Sequence, residues 1–340
     1  MTTVLQALNQ GLHAAFAADD RVLLIGEDLL DPYGGAFKVS QGLSSQYPAR
    51  VITSPVSEAA LVGVAGGMAL RGLRPVVEIM FGDFTTLIAD QMINGLSKFQ
   101  GMYHQQAQVP IVVRTPMGGR RGYGPTHSQT LEKLYLGVPG LRTLAANTLS
   151  DPGELLKAAI LQDDGPVFFI ESKLLYAKQL LDDEALKEFE VEEHTEGDGY
   201  TSSHLLRIKG SPTPTLTLAA YGYMAELARE AQLQLAFEHE IFSELYVPSQ
   251  LAPLPQNGNL TDALSNALHR SGRLLTIEEG TYTLGWGAEI AARAAQALGG
   301  QLKAVRRVAA AEAPIPASVV LEQAALPGVD DIIAAARAMV

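Results

Sequence analysis

Residues 54–84 read SPVSEAALVGVAGGMALRGLRPVVEIMFGDF. Within this stretch Ser57–Arg71 reads as a helix and Pro75–Met80 as a short, buried strand. The same alternation continues outward in both directions. Further strands are expected at Val22–Gly26, Val51–Thr53, Ile111–Thr115, Leu141–Ala146 and Val167–Glu171, and further helices at Asp83–Phe99 and Asp151–Gln162. The opening residues Leu5, Leu8, Leu12 and Phe16 recur at helical spacing. A run such as VFFI (167–170) has no polar face, so it must be covered on both sides, as in a parallel sheet flanked by helices. The reading is a doubly wound α/β domain over residues 1–178.

The pattern then breaks. Residues 179–212 include DDEALKEFEVEEHTEGDG, acidic and weakly apolar, which predicts an exposed linker. Alternation resumes over 213–340, with strands at Thr215–Tyr221, Leu274–Glu278 and Ala304–Val308. Helices are expected at Met224–Phe237, Leu260–Ser271, Trp286–Leu298 and Val329–Val340. This gives a second, smaller α/β domain, and 340 residues are enough for both.

Composition narrows the function classes. With 47% apolar and 18% charged residues the chain is an ordinary globular sequence. A net charge of −12, without a basic stripe, argues against nucleic acid as a partner, because that affinity rests on phosphate neutralisation. There is no cysteine, which removes disulfides, thiolate metal sites and cysteine nucleophiles together. No apolar run reaches membrane-spanning length and the start lacks signal-peptide order, so a cytoplasmic protein without a membrane partner is expected.

The phosphate loop G-x-x-x-x-G-K-[ST], the strand–G-x-G-x-x-G–helix unit, the elbow G-x-S-x-G and the metal helix H-E-x-x-H are all absent. Gly197-Asp198-Gly199 matches the opening of a GDG…N diphosphate motif, but no Asn follows at the required spacing. A turn explains the triplet.

Several long motifs, in one order and spacing, carry a resemblance. They are GEDLLDPYGGAFKVSQGL (26–43), the 54–84 stretch, VPIVVRTPMGGRRGYGPTHSQTLE (109–132) and VPGLRTLAANTLSDPGELLKAAILQDDGPVFFIESKLLY (138–176). Together they resemble the beta subunit of heteromeric 2-oxo acid dehydrogenases of pyruvate and branched-chain type. EEGTYTLGWGAEIAARAAQAL (278–298) and RRVAAAEAPIPASVVLEQAALP (306–327) resemble that family's last domain. The resemblance implies a transketolase-like pyrimidine-binding domain followed by a transketolase C-terminal domain. It also implies thiamine diphosphate as cofactor, with magnesium held mainly by an alpha subunit in a two-alpha, two-beta tetramer. The activity implied is decarboxylation of a 2-oxo acid and transfer of the acyl group to a lipoyl arm on an acyltransferase core.

The resemblance assigns roles residue by residue. Glu58, in PVSEAA, matches the glutamate that hydrogen-bonds the aminopyrimidine of the cofactor, and a carboxyl in an apolar cleft suits that proton exchange. The plainer reading makes Glu58 a first-turn helix carboxylate with Ser57 as cap. Met80 and Phe84 match positions that contact the aminopyrimidine, where a thioether and an aromatic ring pack on a flat heterocycle. Core packing explains them as well. His127, in THSQ, matches a histidine near the substrate and the lipoyl group, in a Gly-rich loop of the kind that carries function. Ile111, Ala159, Ile160 and Asp163 match positions that hold potassium in some relatives, largely through backbone carbonyls. QDDG (162–165) is one residue longer than in those relatives. Tyr33 and its two following glycines are expected at a subunit contact or a plain turn.

The chain also departs from the family's pattern. SELYVPSQLAPLP replaces an aspartate–leucine–arginine run, TLEK follows the histidine in place of serine–proline–glutamate, and Arg120 and Arg121 stand in GGRRGYG. These changes bear on substrate and acyl acceptor. They leave two rivals open: an acyloin-forming enzyme or one with a non-lipoyl acceptor, and a non-catalytic scaffold that binds an alpha chain.

Overall fold

The computed structural model of the protein describes residues 2–195 and 199–340, so the Gly197-Asp198-Gly199 triplet begins outside the described residues. The chain forms two compact units. One comprises the residues up to Gly118 together with Leu134–Leu180; the other comprises Gly119–Lys133 together with Leu181–Val340. The segment 119–133 therefore groups with the later unit although it precedes the break in the sequence.

The first unit is built on parallel strands. They are β1 (Val22–Gly26), β2 (Val51–Thr53), β3 (Arg74–Glu78), β4 (Val112–Met117), β5 (Arg142–Ala145) and β6 (Val167–Ser172). They lie in the order β5-β6-β4-β3-β1-β2, and every pair among them is parallel. β1, β3 and β4 are buried at every position; β1 is an unbroken apolar run, whereas β3 and β4 also bury Arg74, Glu78 and Arg114. Helices α1 (Val4–Ala18), α3 (Glu58–Leu70) and α5 (Pro152–Gln162) and the short α2 (Leu43–Gln46) complete the layers. Thr3 and Gln6 form a capping box at the start of α1. α1 packs on α5 through Gly11 and Gly153, and a Cβ on Gly11 would collide with the Gly153 backbone.

The helix expected over Asp83–Phe99 is instead three windings: a 3₁₀ turn at Gly82–Ile88, a π-helical turn at Gln91–Leu96 and α4 (Ser97–Met102). The cause is local. Thr85 Oγ1 donates to the Gly82 carbonyl at 2.6 Å and Thr86 Oγ1 to that of Asp83 at 3.0 Å, so both hydroxyls reach carbonyls three residues back.

The second unit carries β7 (Phe189–Thr195), β8 (Ser202–Ile208), β9 (Leu216–Ala220), β10 (Ser243–Pro248), β11 (Gln250–Ala252), β12 (Arg273–Thr281) and β13 (Ala304–Ala310). One sheet runs β13-β12-β9-β10-β8-β7, with β7 and β8 as an antiparallel hairpin. Its helices are α6 (Tyr223–His239), α7 (Asp262–Ser271), α8 (Trp286–Leu298), α9 (Val319–Ala325) and α10 (Val329–Arg337).

The stretch whose composition predicts an exposed linker thus contains two strands. β7 is an edge strand with only Phe189 buried, and charges such as Glu190, Glu192 and Glu193 are what an edge strand uses to avoid pairing with other chains. β10 escapes the apolar pattern because it is buried with Glu244 inside, paired to Arg270 at 2.7 Å. Among the described residues no helix is long and apolar enough to cross a membrane.

Candidate active site

In the first unit the chain leaves β1 for β2 on one side and returns to β3 on the other. The C-terminal ends of β1 and β3 therefore flank a topological switch point, where open parallel sheets bind ligands. Glu27 directly follows β1, Glu58 opens the helix that leads into β3, and Met80 lies two residues past the end of β3.

Glu58 is buried at the first position of α3. Ser57 precedes it as expected but makes no side-chain cap, so the helix start is not held in the way the plainer reading proposes. The Ser57 amide instead donates to Glu27 Oε1 at 3.2 Å. Glu27 is itself buried, and its pKa is raised, first by burial and further by the charges of Glu58 and Asp28, against the lowering effect of the Ser57 amide. Two neighbouring buried carboxyls at a switch point form an arrangement that can hold and pass a proton. Glu27 stands beside Asp28 in the GED motif at 26–28, but an acid after an apolar run gives no signal until the fold sets it beside Glu58.

Met80 and Phe84 are half-buried, on the turn that follows β3 and packs against α3. Phe84 meets Phe81 edge-on at 5.7 Å, Phe81 meets Phe37 at 5.5 Å, and Phe37 meets Tyr176 at 5.5 Å. Below this aromatic floor, fully buried Arg114 pairs with Glu78 and makes a fork to Glu171 at 2.6 and 2.7 Å, while Tyr176 donates to Glu171 at 2.6 Å. That network fixes the strand end two residues before Met80. An aminopyrimidine fits such a crevice: buried carboxyls for its ring nitrogens and amine, with apolar side chains for its face.

His127 lies in the second unit, half-buried, in the segment 119–133. Its Nδ1 is 3.0 Å from Thr126 Oγ1, and its amide closes a turn onto the Gly124 carbonyl at 3.3 Å. Tyr33 is exposed, in a loop whose Asp31 carboxylate accepts from Gly42 N, Ser44 Oγ, Ser45 N and Ser45 Oγ. Those four donors hold the Asp31 pKa below its ordinary value, Ser45 most of all.

Two of the four potassium positions, Ile160 and Asp163, already face a guanidinium. Arg74 Nη1 donates to the carbonyls of Ile160 at 2.9 Å and Asp163 at 2.8 Å, and the Ile111 carbonyl accepts from Val167 at 2.8 Å. The Arg74 guanidinium already supplies positive charge at the Ile160 and Asp163 oxygens and would repel a cation placed there. Among the described residues no group of three or more His, Cys, Asp or Glu side chains is placed to hold a metal ion.

The comparisons agree with this architecture. The transketolase pyrimidine binding domain matches residues 1–179, and the transketolase C-terminal domain matches residues 207–332. A solved structure described as a split gene transketolase, inactive beta4 tetramer, superposes with a TM-score of 0.73 at 16% identity, covering 100% of this chain and 98% of that one. The fold is thus that of the transketolase class. Among curated relatives, the chain is 36% identical to the mitochondrial pyruvate dehydrogenase E1 component subunit beta-2 of Oryza sativa subsp. japonica, over 98% of this chain and 85% of that one. It is 33% identical to the pyruvate dehydrogenase E1 component subunit beta of Rickettsia felis, over 98% and 97%. To the acetoin:2,6-dichlorophenolindophenol oxidoreductase subunit beta of Bacillus subtilis (strain 168) it is 35% identical, over 96% and 94%. The chain belongs to the family of the pyruvate dehydrogenase E1 beta subunits.

Proposed function

We propose that this chain is the beta subunit of a thiamine-diphosphate-dependent 2-oxo acid dehydrogenase. The observation that carries the reading is Glu58: a buried carboxyl beside Glu27, at the switch point of a parallel sheet, heading α3. When bound, the cofactor would supply a nucleophilic carbon and an electron sink for decarboxylation. Glu58 hydrogen-bonds the aminopyrimidine and exchanges a proton with its ring nitrogen. Met80 and Phe84 pack on the face of that ring. His127 donates to the oxygen of the substrate or to the acyl acceptor.

In this proposal the diphosphate and its magnesium belong to an alpha chain in a two-alpha, two-beta tetramer, and the acyl acceptor is a lipoyl arm on an acyltransferase core. The assembly works in the cytoplasm, without potassium at the Arg74 site.

The test is Glu58→Gln, assembled with the alpha partner. Loss of a positioned acid–base group lowers rates by about a hundred- to ten-thousand-fold, so hydrogen–deuterium exchange at the thiazolium carbon should slow by that order with the melting temperature kept. Near-normal exchange in a folded tetramer would remove Glu58 from the mechanism and favour the non-catalytic scaffold.

A second reading is favoured by the Bacillus subtilis relative, whose name pairs acetoin with 2,6-dichlorophenolindophenol. Here the same cofactor chemistry handles an acyloin and delivers to a non-lipoyl acceptor. Acylation of an isolated lipoyl domain from a 2-oxo acid supports the first reading; cleavage of acyloin without such acylation supports the second.

A further inference from the structure

The segment that carries His127 is held to its unit by two carboxylates from other elements, Glu279 and Glu322, and by its own Glu132. At its start the Gly119 amide donates to Glu279 Oε1 at 2.6 Å. At its end Tyr221 donates to Glu132 Oε1 at 2.5 Å, and Lys133 Nζ donates to the Thr283 carbonyl at 2.7 Å. Between these anchors stands Glu322 of α9, which is 2% exposed. Its Oε1 accepts from the Arg120 amide at 2.8 Å and its Oε2 from the Gly122 amide at 3.0 Å.

Arg120 and Gly122 both have positive φ, 67° and 69°, and their two amides converge on one carboxylate. Backbone of this kind forms an anion-binding concavity. For Arg120 the conformation is costly unless something holds it, and a doubly accepting, buried carboxylate supplies charge-assisted bonds. The neighbourhood leaves little freedom. A Cβ on Gly119 would lie 2.6 Å from Leu326 Cδ1 and 3.1 Å from Glu322 Oε1. Arg120 Nη2 donates to the Pro327 carbonyl at 2.5 Å. Ala310, Ile315 and Leu326 form a small apolar cluster beneath α9.

The geometry points to Glu322 as the positioning residue of the His127 segment: it clamps the backbone at Arg120 and Gly122, two residues before the 124–127 turn that presents His127. The functional half of this inference rests on His127 meeting the acyl acceptor. Glu279 and Glu132 tie down the ends of the segment, which fixes where it starts and stops. Glu322 grips its middle at the Arg120 and Gly122 amides, so it sets the path of the intervening backbone and the aim of the histidine. Its charge matters as well as its shape, since an amide offers one acceptor oxygen and turns a donor towards the second N–H.

The test uses Glu322→Gln, Glu322→Asp and His127→Ala in the tetramer assembled with its alpha chain. Hydrogen exchange of the 119–127 amides is read alongside the KM and rate of lipoyl-domain acylation. In Glu322→Gln the Arg120 and Gly122 amides should lose protection. Acylation should fall about ten- to a hundredfold, the scale of a roughly 1 Å misplacement, with most of the loss in acceptor KM. Glu322→Asp, which keeps the charge, should restore part of both. Adding His127→Ala to Glu322→Gln should cost less than the two single losses combined.

Unchanged protection in Glu322→Gln overturns the clamp. Lost protection with full acylation overturns its role in transfer. If Glu322→Gln loses both while His127→Ala is silent, Glu322 keeps its place and the assignment of His127 fails.

Discussion

Tyr221 donates its hydroxyl to Glu132 at 2.5 Å inside a pocket that also buries Glu278, whose carboxylate accepts from the Gly287 amide at 3.1 Å. The cradle is tight: a Cβ on Gly285 would lie 2.4 Å from Glu278 Oε2, and one on Gly287 2.2 Å from Thr276 Oγ1 and 2.8 Å from Glu278 Oε1. Burial, and then the charge of Glu132, push the Glu278 pKa up to about 7, against the Gly287 and Trp286 amides and Arg307. Glu132 is raised as well, chiefly by burial, and Tyr221 is raised by burial and by Glu132.

A carboxyl raised in the folded state favours folding fully below its unfolded value and loses that contribution as pH climbs through the folded one. Stability of this unit should therefore fall between about pH 4.5 and 7, with Glu278 accounting for about 3 kcal/mol of the change. Glu278→Gln keeps an acceptor for Gly287 and removes the ionisation. Its melting temperature should exceed that of the parent at pH 8, and the gap should close towards pH 5. A gap that is constant across this range would show that Glu278 does not titrate there.

Arg74 makes a second prediction. Its guanidinium bonds the Ile160 and Asp163 carbonyls at the end of α5 and pairs with Asp164 at 3.2 Å. Replacing sodium by potassium should leave the melting temperature of the full chain unchanged. Arg74→Met keeps much of the apolar stem and removes three donated bonds. It should cost roughly 2–4 kcal/mol, since carbonyls and a carboxylate lose a charged partner. A potassium-dependent rise in the parent's melting temperature would place a cation where the guanidinium now stands.

Much of the first unit was legible because its strands announce themselves. β1, β2 and α8 keep the bounds their residues predict, since each ends at a sharp change in side-chain character. Glu58, Met80 and Phe84 come together near the end of β3 because they lie in one continuous stretch that spans α3 and β3. What stayed hidden depends on partners far away in sequence. Arg74 looks like the ordinary start of a strand, and its acceptors are backbone oxygens 86 and 89 residues on, which have no side-chain signature. β10 hides a charge whose partner comes from α7, and β7 looks like a linker because its unpaired edge is lined with glutamates. Glu322 is a lone acid in an otherwise apolar segment until its carboxylate meets two amides some 200 residues earlier.

The last prediction concerns Glu27, where stability and activity should pull apart. Its pKa is raised by burial and by Glu58, so holding it ionised at neutral pH works against folding. By the same sign argument, that cost is absent below the unfolded carboxyl range and is complete once pH passes the raised folded value. Glu27→Gln retains an acceptor for the Ser57 amide, bonded at 3.2 Å in the parent, and removes the repulsion with Glu58. The variant should therefore melt higher than the parent at pH 8, with the advantage shrinking as pH falls. If Glu27 exchanges protons with Glu58, the same variant should slow thiazolium deprotonation by about tenfold, less than the hundred- to ten-thousand-fold expected for Glu58→Gln. A site kept for chemistry at the expense of stability behaves in this way. Melting curves across pH and deuterium exchange on the assembled tetramer measure the two effects separately. A higher melting temperature with unchanged exchange would leave Glu27 as a strained neighbour with no part in proton transfer. A lower melting temperature at pH 8 would mean that its charge is stabilised by contacts stronger than its burial.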